Sequence, residues 1–192
     1  RGESAALTNA GWSFHFSQIV DALGLDRVVA MNDLAAEALA APMLTADELT
    51  PIGDRAAALG ALPAEAEAIA VIGAGAGLGV AGSRRIDDRW RAIDGEGGHA
   101  PAPVETEDER AAADAILAAQ GFVTAECLLS GPGLARLHAA RGGAPAQPAE
   151  AMAQGLAEPD GAAGQTLSMW MSLLGAFAGG VAVNCSCFEG WT

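Results

Sequence analysis

Two kinds of apolar spacing alternate along this chain. Ala68–Ile72 (AIAVI) is a continuous apolar run. Gly73, Gly75, Gly77 and Gly79 follow at every second position, and a second apolar run comes after them. This pattern predicts a strand, a glycine-rich turn and a second strand. Glycine tolerates φ > 0 and carries no Cβ, so such a turn lets a ligand approach the backbone. A third strand is predicted over 89–93, feeding the loop Gly95-Glu96-Gly97-Gly98-His99. Helical spacing dominates elsewhere. Over 17–25, Ile19, Val20 and Leu23 share one face, with Ser17 as N-cap and Gly24 as stop. Arg27–Met31 is a short apolar run that fits a buried strand. Asn32-Asp33 stands at its C-terminal end, where either residue can cap an alanine-rich helix running to Pro42. In open α/β sheets, ligands gather at the carboxyl ends of strands.

Residues 43–67 are broken by Pro51, Gly53, Gly60 and Pro63, which predicts a surface connection with one or two helical turns. Thr106–Gln120 reads as a helix with acidic residues in its first turn and Gly121 after its last. Thr124-Ala125-Glu126 opens a further element. Gly131-Pro132-Gly133 interrupts it before a helix ending near Arg141, and GGAPAQPAE reads as a linker. The longest apolar segment, 160–183, is long enough to cross a bilayer. It carries Gln165, Thr166, Ser168, Ser172 and nearby Asn184, many small residues and no basic flank, so it is read as a buried core helix, with no membrane partner. Trp12 is expected to anchor a loop or strand end. The order of elements gives an α/β class.

The 192 residues suffice for one large domain or two modest lobes. Hydrophobic residues make up 51 %, which implies a packed core rather than disorder. A net charge of −14 leaves no basic face and argues against nucleic acid as a partner. It does not exclude a phosphorylated ligand, which backbone N–H groups can hold locally. All ten basic residues are Arg, which removes Schiff-base lysine and Walker-type lysine chemistry. Three cysteines (Cys127, Cys185 and Cys187) make no disulfide framework and suggest a reducing cytoplasm. Cys185-x-Cys187 lacks nearby Cys or His partners, so no metal site is assigned. The chain opens on Arg1 with no signal-type segment and reads as a piece lacking both ends.

Each candidate for chemistry has a plainer structural reading. Asp33 can accept a proton from a substrate hydroxyl, or simply cap a helix; the two roles are compatible. Glu96 and His99, with two flexible glycines between them, can wrap a polyol. Equally, they can form a turn with an exposed Glu and a His satisfied by backbone. Glu126 alone reads as a helix-start acid. His15 and His138 read as structural or exposed. The alternating glycines form a phosphate cradle or a tight hairpin. They do not keep GxGxxG spacing and no strong helix pattern follows directly, which argues against a Rossmann turn.

Five segments in order carry a resemblance. They are LTNAGW (7–12), MNDLAAEALAAPML (31–44), GAGAGLGVA (73–81), GEGGHA (95–100) and TAECLLSGPGL (124–134). Together they resemble bacterial glucokinases, sugar kinases of the hexokinase/actin-like ATPase superfamily. The resemblance implies a two-lobed actin-like ATPase (ribonuclease H-like) fold, incomplete here. Residues 1–43 would be part of the small lobe with the catalytic Asp, and 44–192 part of the large lobe. It implies ATP-dependent phosphorylation of D-glucose to glucose 6-phosphate, with Asp33 as general base and Asn32 on a ring hydroxyl. Glu96, His99 and Glu126 would bind further hydroxyls, where charged acceptors give directional bonds and reject analogues that leave them unpaired. Gly75, Ala76, Gly77 and Gly79 would contribute a cradle for the phosphates of ATP, which comes with Mg²⁺. A cytoplasmic homodimer is implied as well.

Three departures stand out. The family commonly has Thr where this chain has Ala76, and a hydrogen bond to a charged group is worth about 1.5–3 kcal/mol. The family's Asp-x-Gly-Gly-Thr-Asn hairpin would fall before Arg1. Past about Asn184 the family continues into a glycine-rich nucleotide segment, whereas this chain reads CSCFEGWT. An alternative reading is a non-catalytic sugar-binding or regulatory module derived from a sugar kinase.

Overall fold

Short-range pairing and capping set the first elements. The computed structural model describes residues 4–6, 11–53 and 66–186, which divide into two compact units, Arg1–Asp33 and Leu34–Thr192. In the first unit, β1 (Ser4–Ala6) pairs antiparallel with β2 (Ser13–His15), Ser4 facing His15 and Ala6 facing Ser13. Strand β2 runs directly into α1 (Phe16–Leu23). The helix therefore starts one residue before Ser17, and His15 takes the N-cap position; its N–H donates to Gln18 Oε1 at 3.5 Å. Histidine carries no capping hydroxyl, so side-chain preference alone points to Ser17 instead. Gly24 closes the helix in the left-handed region (φ 62°), as its place in the sequence requires.

Two expectations for this unit are corrected. Trp12 precedes β2 and is 71 % exposed, so it anchors nothing among the described residues. Arg27–Met31 forms no strand, and Val29 and Met31 are exposed. A strand exists only by satisfying its N–H and C=O groups on a neighbour, and no strand pairs with this run among the described residues. Leu7–Ala10 of the LTNAGW segment lie outside the described residues.

Helix α2 (Asp33–Ala40), which lies in the second unit from Leu34 on, passes into a 3-10 turn, Ala41–Met43, whose Pro42 ends the α-helical ladder. Ala35 and Ala38 are fully buried and pack with Leu34 against Val71, Ala81 and Ala92 of the sheet. The connection that follows contains one further 3-10 turn, Ala46–Glu48; residues 54–65 of it lie outside the described set. The sheet is a three-stranded antiparallel meander of β3 (Ala68–Ala74), β4 (Leu78–Ile86) and β5 (Arg89–Gly95), with β4 in the middle. Asp87 and Asp88 turn β4 into β5 with φ of 50° and 59°. Acidic Asx residues tolerate this left-handed region better than most.

Five further helices are found among the described residues of the unit. In α3 (Glu107–Gln120), Thr106 and Glu109 form a reciprocal capping box and Gly121 (φ 82°) ends the helix. The next pair is α4 (Ala125–Leu129) and α5 (Gly131–Ala140), with Ser130 between them. Gly131-Pro132-Gly133 was expected to interrupt an element, but it forms the first turn of α5. Proline is harmless there because its missing N–H has no intrahelical partner. The expected linker GGAPAQPAE likewise stops at Gln147, and α6 (Pro148–Ala157) begins on its second proline.

The apolar segment forms α7 (Ala162–Ser186). Leu167, Trp170, Leu173 and Phe177 enter a core with Ile116, Leu128, Leu129, Leu134 and Leu137. Only one face is covered: 22 % of its 18-residue apolar window is buried, and Met171 and Val183 are exposed. By length and composition this helix could cross a membrane. Among the described residues, the expected buried core helix thus packs into the core along one face only.

Candidate functional site

The glycine turn is built by its neighbours. β3 and β4 pair up to Ala74 and Leu78, leaving a three-residue loop closed by Gly75 N–H donating to Gly77 O at 2.9 Å. None of Gly73, Gly75, Gly77 and Gly79 has positive φ; the described left-handed glycines are Gly11, Gly24, Gly53, Gly121 and Gly142. The expected use of left-handed backbone in the turn is therefore corrected. What these positions need is room. A Cβ at Gly73 or Gly79 would meet Leu34 at 3.2 or 2.9 Å, and one at Gly77 would meet Glu126 Oε2 at 2.6 Å. The Gly75 carbonyl accepts from Gly131 N–H at 2.7 Å. That N–H is available because the first amides of α5 have no intrahelical acceptor.

Glu126, half-buried in α4, reaches the same turn: its Oε2 accepts the Leu78 N–H at 2.9 Å. The acid expected only to favour a helix start thus also closes a long-range bond to the strand opening.

The Gly95–His99 loop packs onto the same strand. Glu96 bridges to Val80, and Gly97–His99 form a 3-10 turn. Gly97 sits against the Val80 side chain, and Gly98 lies so close to the Leu78 carbonyl that any Cβ would overlap it. These glycines serve close packing rather than the flexibility expected of them. The Glu96 and His99 side chains are exposed, 90 % and 60 %, with His99 Nε2 3.7 Å from Glu96 Oε2. Ala125 N–H donates to Ala100 O at 2.8 Å and ties the start of α4 to the end of this loop.

The structure thus gathers Gly75, Ala76, Gly77, Gly79, Glu96, His99 and Glu126 around the buried Leu78. Asn32 and Asp33 end the first unit; both are exposed, and Asp33 is the first residue of α2. Sequence reasoning missed Leu34, Leu78 and the Gly131 N–H. The third was discoverable: a Ser followed by Gly-Pro-Gly marks a helix start, whose amides are unspent. His15 is exposed and His138 is buried against Gly143. No group of three or more His, Cys, Asp or Glu that could hold a metal occurs among the described residues. Cys127 and Cys185 are free thiols, and Cys187 lies outside the described set.

Comparison with known proteins agrees over nearly the whole chain. The glucokinase family model matches residues 1–191. Glucokinases of Escherichia coli O139:H28 and Shigella boydii serotype 18 are each 35 % identical over 195 residues, covering 98 % of this chain and 59 % of theirs. The chain therefore spans 59 % of the length of these curated relatives. A crystal structure of glucokinase from an Antarctic psychrotroph superposes on 99 % of this chain and 59 % of its own, with a TM-score of 0.82 at 26 % identity. A Balamuthia mandrillaris glucokinase solved with glucose covers 62 % of this chain and 37 % of its own at 17 % identity (TM-score 0.51), a likeness of fold alone. The α/β architecture is that of an incomplete actin-like ATPase fold. Matched by the family model over residues 1–191 and by these relatives over 98 % of its length, this chain belongs to the glucokinase family.

Proposed function

We propose that this chain carries the sugar-binding half of an ATP-dependent glucokinase that converts D-glucose to glucose 6-phosphate. The observation that carries the reading is the convergence on Leu78 of three groups: the glycine turn, the Glu96–His99 loop and the Glu126 carboxylate. A neutral polyol offers only hydroxyls. The exposed Glu96 and half-buried Glu126 carboxylates, with a histidine in the same loop as Glu96, are suited to them, since charged acceptors make strong, directional bonds.

In this reading Asp33 accepts the proton of the glucose 6-hydroxyl as O6 attacks the γ-phosphorus of ATP and ADP leaves. Asn32, Glu96, His99 and Glu126 bind other hydroxyls and hold the ring for in-line attack. Backbone of Gly75, Ala76, Gly77 and Gly79 faces the phosphates. The described residues offer no cluster of three His, Cys, Asp or Glu for a resident cation. Mg²⁺ would enter on the nucleotide's phosphates, its usual carrier. Residues 1–43 belong to the small lobe and 44–192 to the large one. A cytoplasmic location and a homodimer complete the proposal.

A coupled assay of glucose 6-phosphate formation, run beside glucose calorimetry, tests it. Turnover should fall about 10²–10⁴-fold in Asp33→Ala and persist in Asp114→Ala, on the exposed face of α3. Glucose binding without turnover would favour the sugar-binding module instead. Neither binding nor turnover would overturn both readings for this chain.

A further inference from the structure

Glu126 is anchored from more directions than a sugar contact requires. At the front of α4, Ala125 N–H is held by Ala100 O at 2.8 Å. One turn on, the Glu126 carbonyl accepts Ser130 Oγ at 2.8 Å, and Ser130 Oγ in turn accepts Gly133 N–H at 3.0 Å. Gly131, next in line, donates to Gly75 O at 2.7 Å. Between these fixed points the Glu126 side chain extends to the Leu78 N–H, 2.9 Å from Oε2. Gly77 leaves the space it needs. The second oxygen, Oε1, has no hydrogen-bond partner among the described residues.

We propose that Glu126 is a positioning residue for the β3–β4 turn. Oε2 sets the turn through Leu78 while Oε1 is presented to a sugar hydroxyl, so one carboxylate links the two substrates. The proposal rests on the reading of the turn as phosphate-facing and goes beyond it. A hydroxyl that donates to Oε1 fixes the side-chain torsions on which the Oε2 bond depends. The turn is then more rigidly held when sugar is bound. Such coupling is reciprocal: the sugar tightens the nucleotide by the same factor that the nucleotide tightens the sugar.

Two substitutions separate the roles. Glu126→Gln keeps an acceptor oxygen at the same reach but removes the charge that favours a hydroxyl donor. Glu126→Asp keeps the charge but is one methylene short of Leu78. The measurements are amide exchange at Leu78 by NMR and binding of ATP and of glucose by calorimetry, all on the whole chain. Exchange at Gly82, mid-strand in β4, reports general unfolding. In Glu126→Asp the Leu78 amide should exchange about tenfold faster, Gly82 should not change, and ATP should bind about tenfold more weakly. In Glu126→Gln the amide oxygen still reaches Leu78 but both carboxylate bonds lose their charge, so Leu78 exchange and ATP affinity should change by no more than about threefold, clearly less than in Glu126→Asp, while glucose binding weakens.

Leu78 exchange unchanged in Glu126→Asp would overturn the proposal, as would equal loss of ATP affinity in both variants. A wild-type chain that binds no ATP would overturn the phosphate reading of the turn, and with it the coupling. Leu78 exchange would still decide separately whether Glu126 sets the turn.

Discussion

Gly98 has no room for a side chain, because the Leu78 carbonyl fills the place a Cβ would take. Backbone, unlike the tip of a long side chain, cannot swing aside. Gly98→Ala should therefore cost about 1–3 kcal/mol, read as a lower melting temperature. It should also lift the Glu96–His99 loop off β4, which faster exchange of the Ala125 amide, held by Ala100 O at the end of that loop, can follow. That glycines cluster in this region was plain from the sequence. What each one makes room for was not, since the partner lies elsewhere in the chain: Leu34 for Gly73 and Gly79, and Glu126, 48 residues beyond Leu78, for the turn. A linear pattern reports that backbone must come close. It does not report to what.

Helix ends were the most legible elements, because capping is settled within three or four residues. Thr106, Glu109 and Gly121 bound α3 as their positions dictate. Glu109 is 7 % exposed. Burial pushes its carboxyl up, but the backbone N–H groups of Thr106 and Glu105 and the Thr106 hydroxyl outweigh that and hold its pKa below the ordinary 4.5. A carboxyl lowered in the folded state contributes stability that is fully present above 4.5 and is lost as pH falls through the lowered value. Glu109→Gln should thus cost about 0.5–2 kcal/mol near neutrality. The gap between variant and wild type should close as the pH of the thermal melt is taken down into the acid range. A gap that stays constant with pH would refute the cap as its source. Where elements were misread, the deciding contact was not local. Arg27–Met31 has the composition of a strand but no partner among the described residues, and Pro148 starts a helix that its flanking Gly and Pro residues disguised as linker.

At the scale of the whole molecule, burial is unevenly shared. Every described residue of Arg1–Asp33 is at least partly exposed, whereas Leu34–Thr192 holds a core around Leu128, Leu134, Leu137 and Leu173. Local stability follows buried apolar contact. Amides of α1 should therefore exchange orders of magnitude faster than those of Ala81–Ser83 in β4; comparable protection in both would show that the first unit is stabilised otherwise. The family and its fold class were readable at this scale, because five separate segments held their order and spacing. The one-sided cover of α7 was not, since its apolar composition is the same whether one face or both are packed. Leu34 also sets a rule for how the chain can drift over generations. Its side chain occupies the space above Gly73 and Gly79, so the three positions do not vary independently. Alanine at Gly79 is penalised until residue 34 has been trimmed, whereas alanine at Gly73 asks only a small shift of the Leu34 methyl group.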